Sequence, residues 1–219
     1  MKKNTTHNLT VAAMLSAVAF ILMFIEFPIP MLIPSFVKMD FSDLPALLGA
    51  FALGPVYGAV ISFMKNLLHI VIKGTSTACV GELCNFMLGA VFSVTAGCIY
   101  KHRKSRKTAI LGALIGAAAM AVFSVPSNYF ITYPAYVKFY HMPLEAILGM
   151  YQAILPSANS LIKCLVIFNM PFTLVKGLLD ALICMLLCHS LPAMQDGRER
   201  LIDQHADQGI QQAPDAQFA

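Results

Sequence analysis

Residues 9–34 read LTVAAMLSAVAFILMFIEFPIPMLIP, and their reading decides the class of the protein. Glu26 is the only charge in this run. A helix needs about 20 consecutive apolar residues to cross the hydrocarbon core of a bilayer. Further runs of that kind follow. Residues 44–72 hold one Lys and one His, residues 79–100 hold one Glu, residues 108–133 hold no charge, and residues 161–191 close the set. With 58% hydrophobic and 12% charged residues in 219, the chain is an integral membrane protein and not a soluble domain with a large core. The first run does not read as a cleaved signal peptide. It is too long, it carries Glu26 and three prolines, and no small-x-small site ends it.

The run 44–72 is too long for one straight span, and Gly54–Pro55 divides it. A short helix over 43–53 would be only about 16 Å long at 1.5 Å per residue. Such a half-span is tolerated only where protein covers it or where a cavity begins. The expected fold is all-α, a polytopic six-helix bundle. Its spans are placed at about 9–33, 43–53, 55–72, 79–100, 108–133 and 170–190, in one transmembrane domain over residues 1–191. Residues 144–155 and 161–168 are expected as short helices lying across the outer face, bounded by Pro143, Pro156 and Pro171. The Gln- and Asp-rich tail 192–219 is expected to be disordered.

Charge sets the orientation. Lys101, Arg103, Lys104, Arg106 and Lys107 fall between two membrane-length runs. This is the pattern of a cytoplasmic loop and not of a nucleic-acid surface. Counting spans outward puts both termini in the cytoplasm of a multi-pass cell-membrane protein. Lys2, Lys3, Arg198 and Arg200 agree. The six cysteines lie in or beside apolar runs without a CxxC pair and read as apolar filler.

A charge inside the bilayer is expensive, so each one is a functional candidate. Asp40 and Asp43 flank the start of the short helix, and Glu82 and Asn85 are i,i+3 on the fourth span. Asn128 and Tyr129 lie on the fifth, and Lys176 and Asp180 are i,i+4 on the sixth. All fall at similar depth near the outer face, as one outward-facing polar pocket would require. Two plainer readings stand beside this one. Lys176 and Asp180 form a self-neutralising pair, or Glu82 is an acid at a helix N-terminus. Lys65, Asn66 and His69 form a second polar group, for which snorkelling or an interhelical contact competes with ligand contact. His69 lacks a second His or Cys at zinc-ligand spacing. On the first span, Ala13–Ala17 and Ala12–Ser16 are small-xxx-small pairs that fit close approach by a partner helix. No phosphate loop, HExxH or GxSxG run is present, so the sequence offers neither an ATPase nor another enzyme site.

Several runs together resemble a known family. They are KMDFSDLPALLG from Lys38, FALGP from Phe51, KNLLH from Lys65, GELCNF from Gly81, NYF from Asn128 and PFTLVKG from Pro171. They resemble the S component of energy-coupling factor (ECF) transporters, of the riboflavin-specific type, over about residues 9–190. The resemblance implies a substrate-binding membrane subunit of an ATP-driven vitamin importer that binds riboflavin from the extracellular side. It also implies docking on a transmembrane coupling protein and two cytoplasmic ATPase subunits, with Ala13 and Ala17 on the docking face. Riboflavin would be cargo, with no catalytic cofactor. The family's flavin contacts carry over to Met39, Asp40 and Phe41 at the pocket mouth, Glu82 and Asn85 on the fourth helix, Asn128 on the fifth and Lys176 on the sixth. Thr173 stands where the family's sixth-helix run has Asn. It keeps a donor and an acceptor but loses the two-donor amide, which leaves FMN or another vitamin as an alternative cargo. A stand-alone secondary transporter is a further alternative, suggested by the half-helix at 43–53.

The orientation is directly testable. Cysteine labelling at position 105 in intact cells should fail with an impermeant reagent and succeed after permeabilisation. Ready labelling from outside would reverse the topology.

Overall fold

The computed structural model describes residues 3–29, 33, 37–75, 79–141, 143–156 and 160–190. Residues Met1–Ile183 form one compact unit, which holds the cavity described below. The second unit, Cys184–Ala219, contains the end of the last helix. The tail 192–219 lies outside the described residues.

Among the described residues, five helical stretches are long and apolar enough to cross a membrane: Thr5–Phe24, Pro55–Lys73, Val80–His102, Arg106–Phe139 and Leu161–Cys188. The first, α1 (Lys3–Phe24), is shorter than the apolar run that encodes it. Residues beyond Ile25 turn back instead, and Phe27–Pro28 (β1) pairs antiparallel with Lys38–Met39 (β2). Expecting helix as far as residue 33 is therefore corrected. Pro28 has no N–H to continue a helical ladder. On α1, Ala12, Ser16, Ala19 and Met23 are buried in a stripe. Leu9, Met14, Val18 and Ile21 are exposed, as on a face turned to lipid.

The half-helix α2 (Leu44–Ala52) spans about 14 Å at 1.5 Å per residue. Seven of its nine residues are buried, and α1, α3 and α4 pack against it. Gly54 ends it at φ +115°, a conformation that glycine adopts without strain, and Pro55 then opens α3 (Pro55–Lys73). α4 (Val80–His102) and α5 (Arg106–Ser127) meet closely. A Cβ at Gly112 would sit 2.8 Å from the Ala96 carbonyl, and one at Gly116 2.8 Å from that of Phe92. The basic turn between α4 and α5 is exposed, and Ser105 caps α5 by accepting the Thr108 N–H at 3.2 Å.

The last two long helices each contain one π-helical turn. Asn128–Thr132 links α5 to α6 (Tyr133–Tyr140), and Leu165–Asn169 links α8 (Leu161–Cys164) to α9 (Met170–Ser190). The N–H of Tyr133 reaches Asn128 O, and that of Met170 reaches Leu165 O. Both turns stop two residues before a proline, Pro134 or Pro171. A helical proline collides with the carbonyl four residues back. Those carbonyls belong to Phe130 and Ile167, the middle of each widened turn. The π geometry thus accommodates the proline without breaking the helix. Residues 161–168 are accordingly no separate outer-face helix. They are the first turns of the final long helix, contrary to the expectation that Pro171 divides them from it. The helix α7 (Leu144–Gln152) does stand apart, anchored by the fully buried Ile147 and Tyr151.

Candidate ligand cavity

A cavity of about 400 Å³ opens at the end of the bundle opposite the basic turn. That volume is within the range of small-molecule sites. Its walls come from the end of α1, the segment 37–43, the end of α3, the start of α4, the π turn after α5, and the start of α9. Asp40, Glu82, Asn85, Asn128, Thr173 and Lys176 all line it, although they are spread over 137 residues of sequence. Met39 and Phe41 are not among the lining residues. Met39 packs into a small core with Ile33 and Phe172. Phe41 is half-buried with its ring 6.4 Å from that of Phe27.

At the cavity floor, the lining residues Asp40, Asp43 and Lys176 close a ring of five side chains with Ser42 and Lys65 behind them. Lys65 Nζ lies 2.5 Å from Asp43 Oδ1 and donates to Ser42 Oγ at 2.6 Å. The Ser42 hydroxyl donates in turn to Asp40 Oδ1, which also accepts the Ser42 N–H at 2.8 Å. Lys176 Nζ closes the circuit at 3.0 Å from Asp40 Oδ2 and 3.1 Å from Asp43 Oδ2. All five residues are buried. Burial alone would raise the Asp40 pKa. The Lys176 and Lys65 ammonium groups and the Ser42 bonds outweigh it and hold the carboxyl well below the usual range. With the folded value depressed, its contribution to stability is present at neutral pH and is lost only as strong acid protonates it.

This ring corrects the pairing of Lys176 with Asp180. Lys176 bonds to the segment 40–43, whereas neither oxygen of the fully buried Asp180 has a hydrogen-bond partner among the described residues.

Two amides are fixed in opposite senses. Asn128 donates its NH₂ to Ser124 O at 2.8 Å, which leaves its carbonyl for the cavity. Asn169, which also lines the cavity, accepts the Tyr151 hydroxyl at 2.8 Å, and that hydroxyl pairs with Tyr133 Oη at 2.5 Å. Burial, reinforced by Tyr133, holds the Tyr151 phenol well above its usual pKa, so its hydroxyl stays protonated. Sequence reading missed Asn169. Its signal was the spacing Asn169-Met170-Pro171 with Thr173 and Lys176 on one helical face.

The rim is exposed. Glu26 accepts from Lys38 at 2.7 Å and Lys73 at 2.9 Å, which ties the β1–β2 segment to the end of α3. Between rim and floor, His69 Nδ1 lies 3.5 Å from Glu82 Oε1, inside ion-pair range but without a hydrogen bond. Away from the cavity, Ala12 and Ser16 are consumed inside the bundle, whereas Ala13 and Ala17 remain exposed on α1.

The family described as "ECF transporter, substrate-specific component" matches residues 7–188. The chain is 37% identical to the riboflavin transporter RibU of Staphylococcus aureus (strain TCH60), over 82% of this chain and 87% of that one. It is 33% identical to the riboflavin transporter FmnP of Bacillus subtilis (strain 168), over 82% and 88%. A solved S component of a bacterial ECF transporter superposes with a TM-score of 0.66 at 33% identity, covering 87% of this chain and 98% of the other.

The ring predicts a specific failure. Lys176→Met leaves Asp40 and Asp43 buried with one cation between them, which should cost about 3–5 kcal/mol. Asn128→Leu should leave the fold intact. Thermal unfolding of the detergent-purified variants reads the difference. Equal melting of Lys176→Met and wild type would remove the ring from the stability of the fold.

Proposed function

The chain belongs to the substrate-specific components of ECF transporters, and from that premise we propose that it binds riboflavin for uptake by an ATP-driven importer. The observation that carries this reading is the opposed fixing of the two cavity amides. Riboflavin presents an imide edge on which carbonyl acceptors flank an N–H donor. Asn128 offers a carbonyl oxygen to the N–H. Asn169, Thr173 and the remaining N–H of Lys176 offer donors to the carbonyls. Relatives named as riboflavin transporters support the same cargo.

Charge favours the uncharged vitamin over its phosphate. Among the described lining residues, three lysines face four carboxylates. Lys38 and Lys73 are paired with Glu26, and Lys176 with Asp40 and Asp43. Under this reading no lysine at the cavity is left to neutralise a phosphate. Asp40, Glu82, Asn85, Asn128, Thr173 and Lys176 remain the proposed ligand-binding set. Met39 and Phe41 act by supporting the segment 37–43.

The cavity opens at the Val80 end of α4, and the basic turn follows its His102 end. With the basic turn and both termini cytoplasmic, the cavity faces outward and takes riboflavin from the extracellular side. The exposed Ala13 and Ala17 then lie on the surface that meets the transmembrane coupling protein, itself driven by two cytoplasmic ATPase subunits. Small side chains there permit close helix approach.

Protein purified from cells grown on riboflavin should be yellow, and stripped protein should quench flavin fluorescence on titration. Absence of quenching, or tighter binding of a different vitamin, would refute riboflavin as cargo. Replacing Ala13 or Ala17 by Trp should abolish uptake while the isolated subunit binds riboflavin normally. Undiminished uptake in both variants would place the docking face elsewhere.

A further inference from the structure

Lys65, His69 and Lys73 repeat at i, i+4 and i+8 along one face of α3. Lys65 is bound into the floor ring, and Lys73 reaches Glu26 at the rim. His69, one turn from each, comes within ion-pair range of Glu82 but makes no hydrogen bond to it. It is 8% exposed, it lines the cavity, and neither ring nitrogen makes a hydrogen bond among the described residues. A buried polar group without a partner is costly in the free protein. That cost persists to no structural benefit unless something else completes the bonds. Glu82 stands across the cavity on α4, 3.5 Å away.

A neutral imidazole offers one N–H donor and one bare nitrogen acceptor, and a carboxylate offers acceptors only. An imide edge does not suit that set, because each of its polar atoms has a single fixed sense and the opposed amides already match it. A chain of vicinal hydroxyls does suit it. Each hydroxyl both donates and accepts, and each rotates to fit. We propose that His69, acting with Glu82, binds the hydroxyls of the ligand's ribityl chain, so that this part of the cavity selects for a polyol tail. The assignment rests on riboflavin being the cargo. It also orients the ligand. The ring lies toward Asn128 and Asn169, and the tail lies along α3 between floor and rim.

The two possible roles of His69 predict opposite effects of one substitution. His69→Phe keeps a ring beside Phe24, whose centroid is 6.0 Å away, and removes two ring nitrogens that make no hydrogen bond among the described residues. If His69 serves the ligand, the ligand-free variant should melt no lower than wild type and yet bind riboflavin about tenfold to a hundredfold more weakly, the loss expected from stranded ligand hydroxyls. Lumiflavin, which carries the same ring with a methyl group in place of the ribityl chain, should bind His69→Phe and wild type alike. His69→Gln, which restores one donor group and one acceptor, should recover part of the riboflavin affinity. Titration of both flavins on wild type and both variants, with melting curves alongside, decides the matter. Unchanged riboflavin affinity in His69→Phe, or an equal loss for lumiflavin, overturns the assignment while leaving riboflavin as cargo. Should His69→Phe not fold, titrating His69→Gln with the two flavins separates the same two roles: a loss confined to riboflavin supports the assignment, and an equal loss or none overturns it. Failure of wild type to bind riboflavin at all would overturn the cargo and this assignment together.

Discussion

The closed ring of Lys65, Asp43, Lys176, Asp40 and Ser42 is the constraint on which the cavity depends. It joins three parts of the chain that share no continuous element: the segment 40–43, α3 and α9. Buried ions are stable only when each is met by opposite charge and by hydrogen bonds. That requirement fixes the position of all three parts at once. Removing any member strands its neighbours, so the ring acts as a geometric specification more than as a source of net stability. It also starts the half-helix α2 in the right place, since Asp43 immediately precedes it. α2 in turn is too short to span a bilayer and is held by the helices around it.

The second constraint is covalent. A widened turn precedes each of Pro134 and Pro171 in a long helix, and both turns deliver polar residues to the cavity. Asn128 and Thr132 come from one, Asn169 from the other. Irregular backbone at membrane depth survives where protein or a cavity shelters it. Here the same irregularity re-aims the amides on which the binding reading rests. Local chemistry then assigns each amide its sense: Ser124 O takes one NH₂, and the Tyr151 hydroxyl takes the other carbonyl.

Much of this was legible in the sequence, and for identifiable reasons. Apolar runs of membrane length declare themselves, and Gly54–Pro55 marks the break between α2 and α3 without ambiguity. Asp40, Glu82, Asn85, Asn128 and Lys176 stood out because charged and amide side chains are rare in or beside such runs, Thr173 came only from the family resemblance, and all six line one cavity. Partner choice was not legible. Lys176 and Asp180 sit at ideal intrahelical spacing, yet Lys176 bonds across the fold to Asp40 and Asp43, because spacing along one helix carries no information about what lies opposite. Pro171 misled for a related reason. A proline says that the α ladder cannot continue unchanged, but not whether the chain breaks or widens. The apolar residues after Phe24 were read as helix because hydropathy alone does not separate a helix from an apolar strand such as Phe27–Pro28. Asn169 was overlooked because its role depends on Tyr151, 18 residues away in sequence.

A structure of the riboflavin complex in a lipid environment tests the whole account most directly. The flavin should lie in the cavity between α4, the turn at Asn128 and the start of α9. Its imide edge should meet Asn128 and Asn169, with Lys176 still on Asp40 and Asp43. Flavin bound elsewhere, or Lys176 drawn off both aspartates to reach the ligand, would contradict a preformed cavity built on the buried ring.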